Sequence, residues 1–248
     1  GGDLSRALPQ LGVGRGRERP RLVRRDHRRV VVVALQAMLG VVQRCACKPA
    51  RALAFFRDTK PFDLFRDHVL PPLIESRAEK KSFRIFCAAA SSGQEPYSLA
   101  MIIKEAGARL QGWKIDIIGT DISTEILNKA KAGLYSQFEV QRGLPIQMLV
   151  KYFEKKDEQW QISQELRDMV TYKEYNLLGD LKPLGRFDVV FCRNVLIYFD
   201  RETKGKELES IAGLMPEDGT LFLGGAAAIL LAVYAVAAGA MGMRRRAA

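Results

Sequence analysis

Between Ser82 and Asp121 the chain runs through an apolar stretch (SFRIFCA), a turn of small residues (Ala89-Ala90-Ser91-Ser92-Gly93), an amphipathic stretch and a second apolar stretch that closes on an acid. No other feature restricts the fold as much. Residues 82–88 read as a buried strand. Pro96 suits the first turn of the helix that follows, Leu99, Ile102, Ile103 and Ala106 recur on one face, and Gly107 suits its end. Residues 114–119 (KIDIIG) read as a second strand, and Ser123 or Thr124 can cap a helix ending near Gly133. Strands joined through a helix pair in parallel, so the expected fold is α/β, a doubly wound and mostly parallel sheet.

The rest of the chain continues this rhythm with one interruption. Residues 187–191 (FDVVF) read as a sheet strand, 202–214 as a helix and 220–224 (TLFLG) as a further strand. Between Gly133 and Asn176 the pattern loosens: 146–153 read as a short helix, and 160–162 with 169–173 as strands around a charged loop. A small antiparallel β excursion over about 133–176 is the expectation. Residues 30–42 (VVVVALQAMLGVV) are apolar but too short to span a bilayer, and read as a buried or frayed helix.

A strand, a glycine-containing turn, a helix and an acid at the tip of the next strand form a nucleoside site at the carboxyl edge of a parallel sheet. Asp121, 28 residues beyond Gly93, is that acid, and its carboxylate can accept from both ribose hydroxyls. The chain lacks Gly-x-Gly-x-x-Gly and a Walker cradle, which favours a cofactor without pyrophosphate, S-adenosylmethionine rather than NAD or ATP. Glu95 sits where a helix dipole favours a carboxylate. On the residues alone, Glu95 also reads as a plain helix-start acid and Asp121 as a strand-end turn residue. Four cysteines without Cys-x-x-Cys spacing and two histidines, His27 and His68, make no credible metal set, and suggest a reduced compartment.

Six segments in order then resemble one family, the CheR-type chemotaxis receptor glutamate methyltransferases. They are FFRD at 55–58, AASSGQEPYS at 89–98, GTDIS at 119–123, RGLP at 142–145, NLL at 176–178 and FDVVFCRNVLIYF at 187–199. The resemblance covers roughly 55–224. It implies the methyltransferase sheet, S-adenosylmethionine as cofactor, methyl-accepting chemotaxis receptors as partners, and a cytoplasmic protein at receptor arrays that touches the membrane only through the receptor. By position it implies that Glu95 and Asp121 hold the amino-acid and ribose parts of the cofactor. Asn176 with Leu177, and Arg193 with Asn194, would form the adenosine side. Arg57 and Tyr198 would stand beside the transferred methyl as the catalytic pair, Arg57 also touching the cofactor. Without the family, Arg57 reads equally as a surface ion pair with Asp58 or Asp63, and Tyr198 as a core ring with a wet hydroxyl.

Charge separates this body from its flanks. The chain carries 39 Lys and Arg against 28 Asp and Glu, a net +11 that would suggest a polyanion partner. Residues 1–51 account for +9 of it and 225–248 for +3, leaving 52–224 at −1. A nucleic-acid partner is therefore not expected. Residues 1–54 are expected to be an atypical Arg-rich, partly disordered segment, 55–227 the methyltransferase domain, and 228–248 an atypical Ala-rich tail. Arg51-Ala52-Leu53-Ala54 stand where the family carries a Thr-Asn-Glu-Thr-like run that lines the cofactor site. The family's last helix and β-hairpin have no counterpart after Gly224, so the sheet is expected to be short of terminal strands and the flanks to be out-of-frame text. Two alternatives stay open: a non-catalytic binding module of this type, and a methyltransferase anchored through the apolar 226–243.

Overall fold

The computed structural model describes residues 31–33 and 54–224. In chain order the elements are β1 (Val31–Val33), α1 (Lys60–Leu64), a π-helical turn (Phe65–Val69), α2 (Leu70–Ser76), β2 (Ser82–Ala88), α3 (Gln94–Glu105), a 3-10 turn (Gly107–Leu110) and β3 (Lys114–Asp121). Then come α4 (Thr124–Ala132), β4 (Leu134–Ser136), α5 (Gln137–Gln141), α6 (Ile146–Tyr152), β5 (Phe153–Lys156), β6 (Gln159–Ile162), α7 (Gln164–Asp168) and β7 (Val170–Glu174). β8 (Val189–Cys192), a 3-10 turn (Leu196–Tyr198), α8 (Arg201–Gly213) and β9 (Thr220–Leu223) complete the described chain.

The main sheet has the order β1-β9-β8-β2-β3-β7, and every neighbouring pair is parallel. From β2 the chain winds outward to β3 and β7, then returns to β8 on the other side of β2 and winds outward again. This is the doubly wound arrangement, and it places the switch point between β2 and β8. Both faces of the inner strands are covered, and side chains alternate between them as the pleat requires. Phe83, Ile85 and Cys87 with Phe191 and Phe222 join the core that contains Phe55, Phe62 and Phe65, whereas Phe86, Val190, Cys192, Leu221 and Leu223 pack against Leu184, Phe187 and Ile211. Phe191 and Phe222 stack at 4.3 Å.

Local signals explain the helix ends. The Ser123 hydroxyl accepts from the Ile126 amide and caps α4, and Gly133 ends it in the left-handed region at φ 63°. The Asp200 side chain accepts from the Thr203 amide and caps α8.

Two expectations are corrected. Residues 169–173 were expected inside the antiparallel excursion, but β7 pairs in parallel with β3 and closes one edge of the main sheet. Its outer position leaves Thr171 and Lys173 exposed between buried Val170 and Tyr172, an alternation that imitates an antiparallel strand. The small sheet is instead β4-β6-β5, antiparallel throughout, and the charged loop after it contains α7. Residues 31–33 form a strand beside β9 rather than part of a helix, in keeping with the extended preference of consecutive β-branched valines. The remainder of the apolar run 30–42, the Arg-rich 1–29, the substituted Arg51–Leu53 and the apolar 226–243 lie outside the described residues. Among the described residues no helix is long and apolar enough to cross a membrane.

The small sheet packs through aromatic contacts on Phe55, which lies ahead of α1 and shares the core of the main sheet. Tyr135 of β4 and Phe153 of β5 each meet the edge of Phe55, at 4.9 and 5.3 Å. Trp160 of β6 donates its indole N–H to Gln137 at 2.7 Å. Trp113, by contrast, lies just before β3 and packs on Phe83 at the amino edge of the main sheet.

Candidate cofactor cleft and active site

In a parallel sheet all strands present their carboxyl ends at one edge, and this edge gathers most of the residues singled out above. The turn after β2 is wound tightly, with Ala89, Ser91 and Gly93 at φ 56°, 51° and 92°. The Ala90 amide donates to the Thr120 carbonyl oxygen (2.7 Å), pinning the turn to the end of β3. Asp121 completes the attachment, one oxygen accepting from the Ser91 amide (3.0 Å) and the other from the Ser123 amide (3.2 Å). Asp121 is thus a turn residue whose carboxylate is held at the edge by these two bonds, and each oxygen keeps a second lone pair for a ligand. Exposed Ile122 follows it, and exposed Leu178 lies beyond the end of β7.

Glu95 stands in the first turn of α3 and pairs across the switch point with Arg193, whose Nη1 lies 2.9 Å from its Oε2. Burial pushes the Glu95 carboxyl above the ordinary range, while Arg193 and then Arg57 pull it back. Arg193 also donates from Nη2 to Asp58 Oδ2 (2.8 Å) and to the Arg57 carbonyl oxygen (2.9 Å). These bonds bring the 55–59 segment to the cleft. Its other tether is the Phe56 amide, which donates to the Ser98 hydroxyl (2.9 Å) on α3. Arg57 therefore stands beside Glu95 and Arg193, its Nε 4.0 Å from Asp58 Oδ2, so the ion pair allowed by the sequence is present as well.

Asn176 bends the chain after β7, its Oδ1 accepting from the Leu178 amide (3.0 Å), and Leu177 is buried beneath it. Asn194 follows Arg193 at φ 59°. Tyr198 lies four residues further on in the 3-10 turn and is 80 % exposed, which rules out a core ring.

Several residues that support the cleft were not singled out in the sequence. Tyr135 of the small sheet donates its hydroxyl to the Ser92 carbonyl oxygen (2.7 Å), and Asp58 and Ser98 secure the 55–59 segment. Asp58 and Ser98 lie inside the quoted motifs, and Asp58 was otherwise visible only as a surface ion-pair partner of Arg57. Tyr135 lies outside all of them.

The donor set fits a nucleoside carrying an amino-acid end. Two carboxylates flank the turn and would repel a pyrophosphate, yet they suit an ammonium and a pair of ribose hydroxyls. The family description "CheR methyltransferase, SAM binding domain" matches residues 52–235. The chain belongs to the CheR methyltransferase family. The cofactor of this domain is accordingly S-adenosylmethionine. Among curated relatives, the chain is 42 % identical over 179 residues to chemotaxis protein methyltransferase 1 of Pseudomonas aeruginosa, covering 71 % of this chain and 65 % of the relative. It is 38 % identical to a probable chemotaxis protein methyltransferase of Rhizobium etli, over 68 % of this chain and 65 % of the relative. It is also 38 % identical to chemotaxis protein methyltransferase Cher2 of Pseudomonas putida, over 71 % and 65 %. The CheR-like chain thus spans just under two thirds of the length of the relatives it matches.

Proposed function

We propose that the chain methylates glutamate side-chain carboxylates of methyl-accepting chemotaxis receptors, giving glutamyl methyl esters and S-adenosylhomocysteine. The observation that carries this reading is the convergence of Glu95, Asp121, Arg193 and the Arg57 segment along the carboxyl edge of the parallel sheet, from β8 across β2 to β3. Bound there, S-adenosylmethionine supplies an electrophilic methyl group on a sulfonium. Glu95 would take the ammonium of its amino-acid end and Asp121 the ribose hydroxyls. Asn176, Leu177 and Asn194 would bound the adenosine side, with Arg193 behind Glu95.

A glutamate has an ordinary pKa of about 4.3 and is already ionised at neutral pH, so the reaction asks for no general base. The described histidine, His68, belongs to the π-helical turn and to none of the segments of the cleft. What the protein must do is position the reactants and keep water out, because transfer removes charge and a dry site favours that. Arg57 can fork onto the substrate carboxylate, and the exposed Tyr198 hydroxyl would donate a hydrogen bond to it.

Incubation with receptor cytoplasmic fragments and methyl-labelled cofactor tests the proposal. The expected product is a base-labile label on receptor glutamates that is lost in Arg57→Ala. Tight binding of S-adenosylhomocysteine without any base-labile label on receptor fragments would sink it.

A further inference from the structure

Arg193 has a side chain only 2 % exposed, and its two Nη atoms serve the protein itself. Nη1 serves Glu95 on α3, Nη2 serves Asp58 and the Arg57 carbonyl oxygen, and the flat face lies 5.4 Å from the centre of the Phe62 ring. Both Nη atoms are thus committed to the protein, while Nε is buried without a hydrogen-bond partner. The segment Arg193 holds is strained: Phe56, Asp58 and Thr59 lie at φ 49°, 64° and 34°, on either side of Arg57. Such angles are costly for bulky and β-branched residues and persist only where the surroundings impose them.

We infer that Arg193 is a positioning residue that locks the Arg57-bearing turn to Glu95, so that one buried side chain sets the substrate arm and the cofactor acid relative to each other. The inference rests on the functional reading above for the sides assigned to Arg57 and Glu95, while the brace itself belongs to the protein without ligand. Its consequence is that cofactor affinity and the order of the 55–59 segment rise and fall together.

Hydrogen exchange of the full chain, and calorimetry with S-adenosylhomocysteine, test this in the wild type, Arg193→Lys and Asp58→Asn. A lysine keeps a cation beside Glu95 but cannot fork to two further acceptors. Loss of charge-assisted hydrogen bonds should weaken ligand binding about tenfold in Arg193→Lys and speed amide exchange over 57–60 by about as much, with β2, β3 and β8 as protected as before.

A pH profile gives a readout that a merely structural role would not move. The groups facing Glu95 are Arg193, Arg57, Asp58 and the thiols of Cys87 and Cys192. Arg193→Gln removes the strongest downward pull on the carboxyl. The acid limb of ligand affinity should then move to higher pH, rather than affinity falling equally at every pH.

Weakened ligand binding with unchanged exchange over 57–60 would make Arg193 a direct cofactor contact and overturn the inference. A wild type that binds no S-adenosylhomocysteine would overturn the functional reading instead, and exchange over 57–60 would still decide for or against the brace. Should Arg193→Lys loosen the whole sheet, Asp58→Asn decides, since that side chain is 62 % exposed and its loss leaves the core intact. Faster exchange confined to 57–60 supports the brace, and wild-type exchange there defeats it.

Discussion

At Gly93 and Gly143 a side chain as small as a methyl is too large. Gly143 has φ 80°, and a Cβ there would stand 2.2 Å from the Phe55 carbonyl oxygen; at Gly93, with φ 92°, it would stand 2.5 Å from the Tyr172 hydroxyl. A carbonyl of the backbone yields less than the end of a ring, so Gly143→Ala is expected to cost more, about 3 kcal/mol against about 1 to 2 for Gly93→Ala. Urea unfolding measures both, and the reverse order would show that Phe55 moves more freely than Tyr172. The glycine of the RGLP segment was visible in the sequence, but its reason was not, because the atom it avoids lies 88 positions earlier. The same distance hid the role of Arg193. Local pattern marks Glu95 and Asp121 as candidate acids, whereas the acceptors of Arg193 lie 98, 135 and 136 residues away.

At the scale of elements, the two sheets and the two edges of the larger one are joined by few bonds that can be cut singly. Tyr135→Phe removes the hydroxyl that reaches Ser92 while keeping the ring against Phe55. It should weaken S-adenosylhomocysteine binding by about 1 kcal/mol, read by calorimetry, with the melting temperature changed little. At the opposite edge Arg77, just past α2, donates to Asp188 (2.8 Å) at the foot of β8 and by both Nη atoms to Asp218 (2.7 Å) before β9. Arg77→Ala leaves the buried Asp188 carboxylate with the Arg84 amide but no cation, and should lower unfolding free energy by about 3 kcal/mol without altering ligand affinity.

Arg77 also holds the Asp218 carboxyl below its ordinary 3.8. A depressed folded pKa means that the contribution is present above 3.8 and is lost as pH falls through the folded value. The stabilities of the wild type and Asp218→Asn should therefore differ at pH 6 and converge on acidification, measured as urea midpoints. The elements themselves were mostly legible, since helices and inner strands carry strong periodicity. β7 reads as antiparallel because an edge strand with one wet face alternates in the same way, and β1 reads as helix because a short apolar run has no period that separates strand from helix.

For the whole molecule, the parallel sheet means that each strand needs a neighbour, and the edges matter most. β1 supplies three residues alongside β9. Removing residues 1–33 should bare the β9 edge and promote self-association, visible as increased light scattering at micromolar concentration; a truncated chain that stays monomeric would show the edge to be protected otherwise. The net charge of +11 gave no guide to the cleft, because the excess falls in flanks outside the described body.

The two tryptophans of the chain divide the molecule between them: Trp113 packs at the amino edge of the main sheet and Trp160 in the small sheet. Trp113→Phe and Trp160→Phe would each leave a single emitter, so the fluorescence of either variant follows one sheet alone. Whether the small sheet melts with the large one or before it becomes an optical question that needs no attached dye.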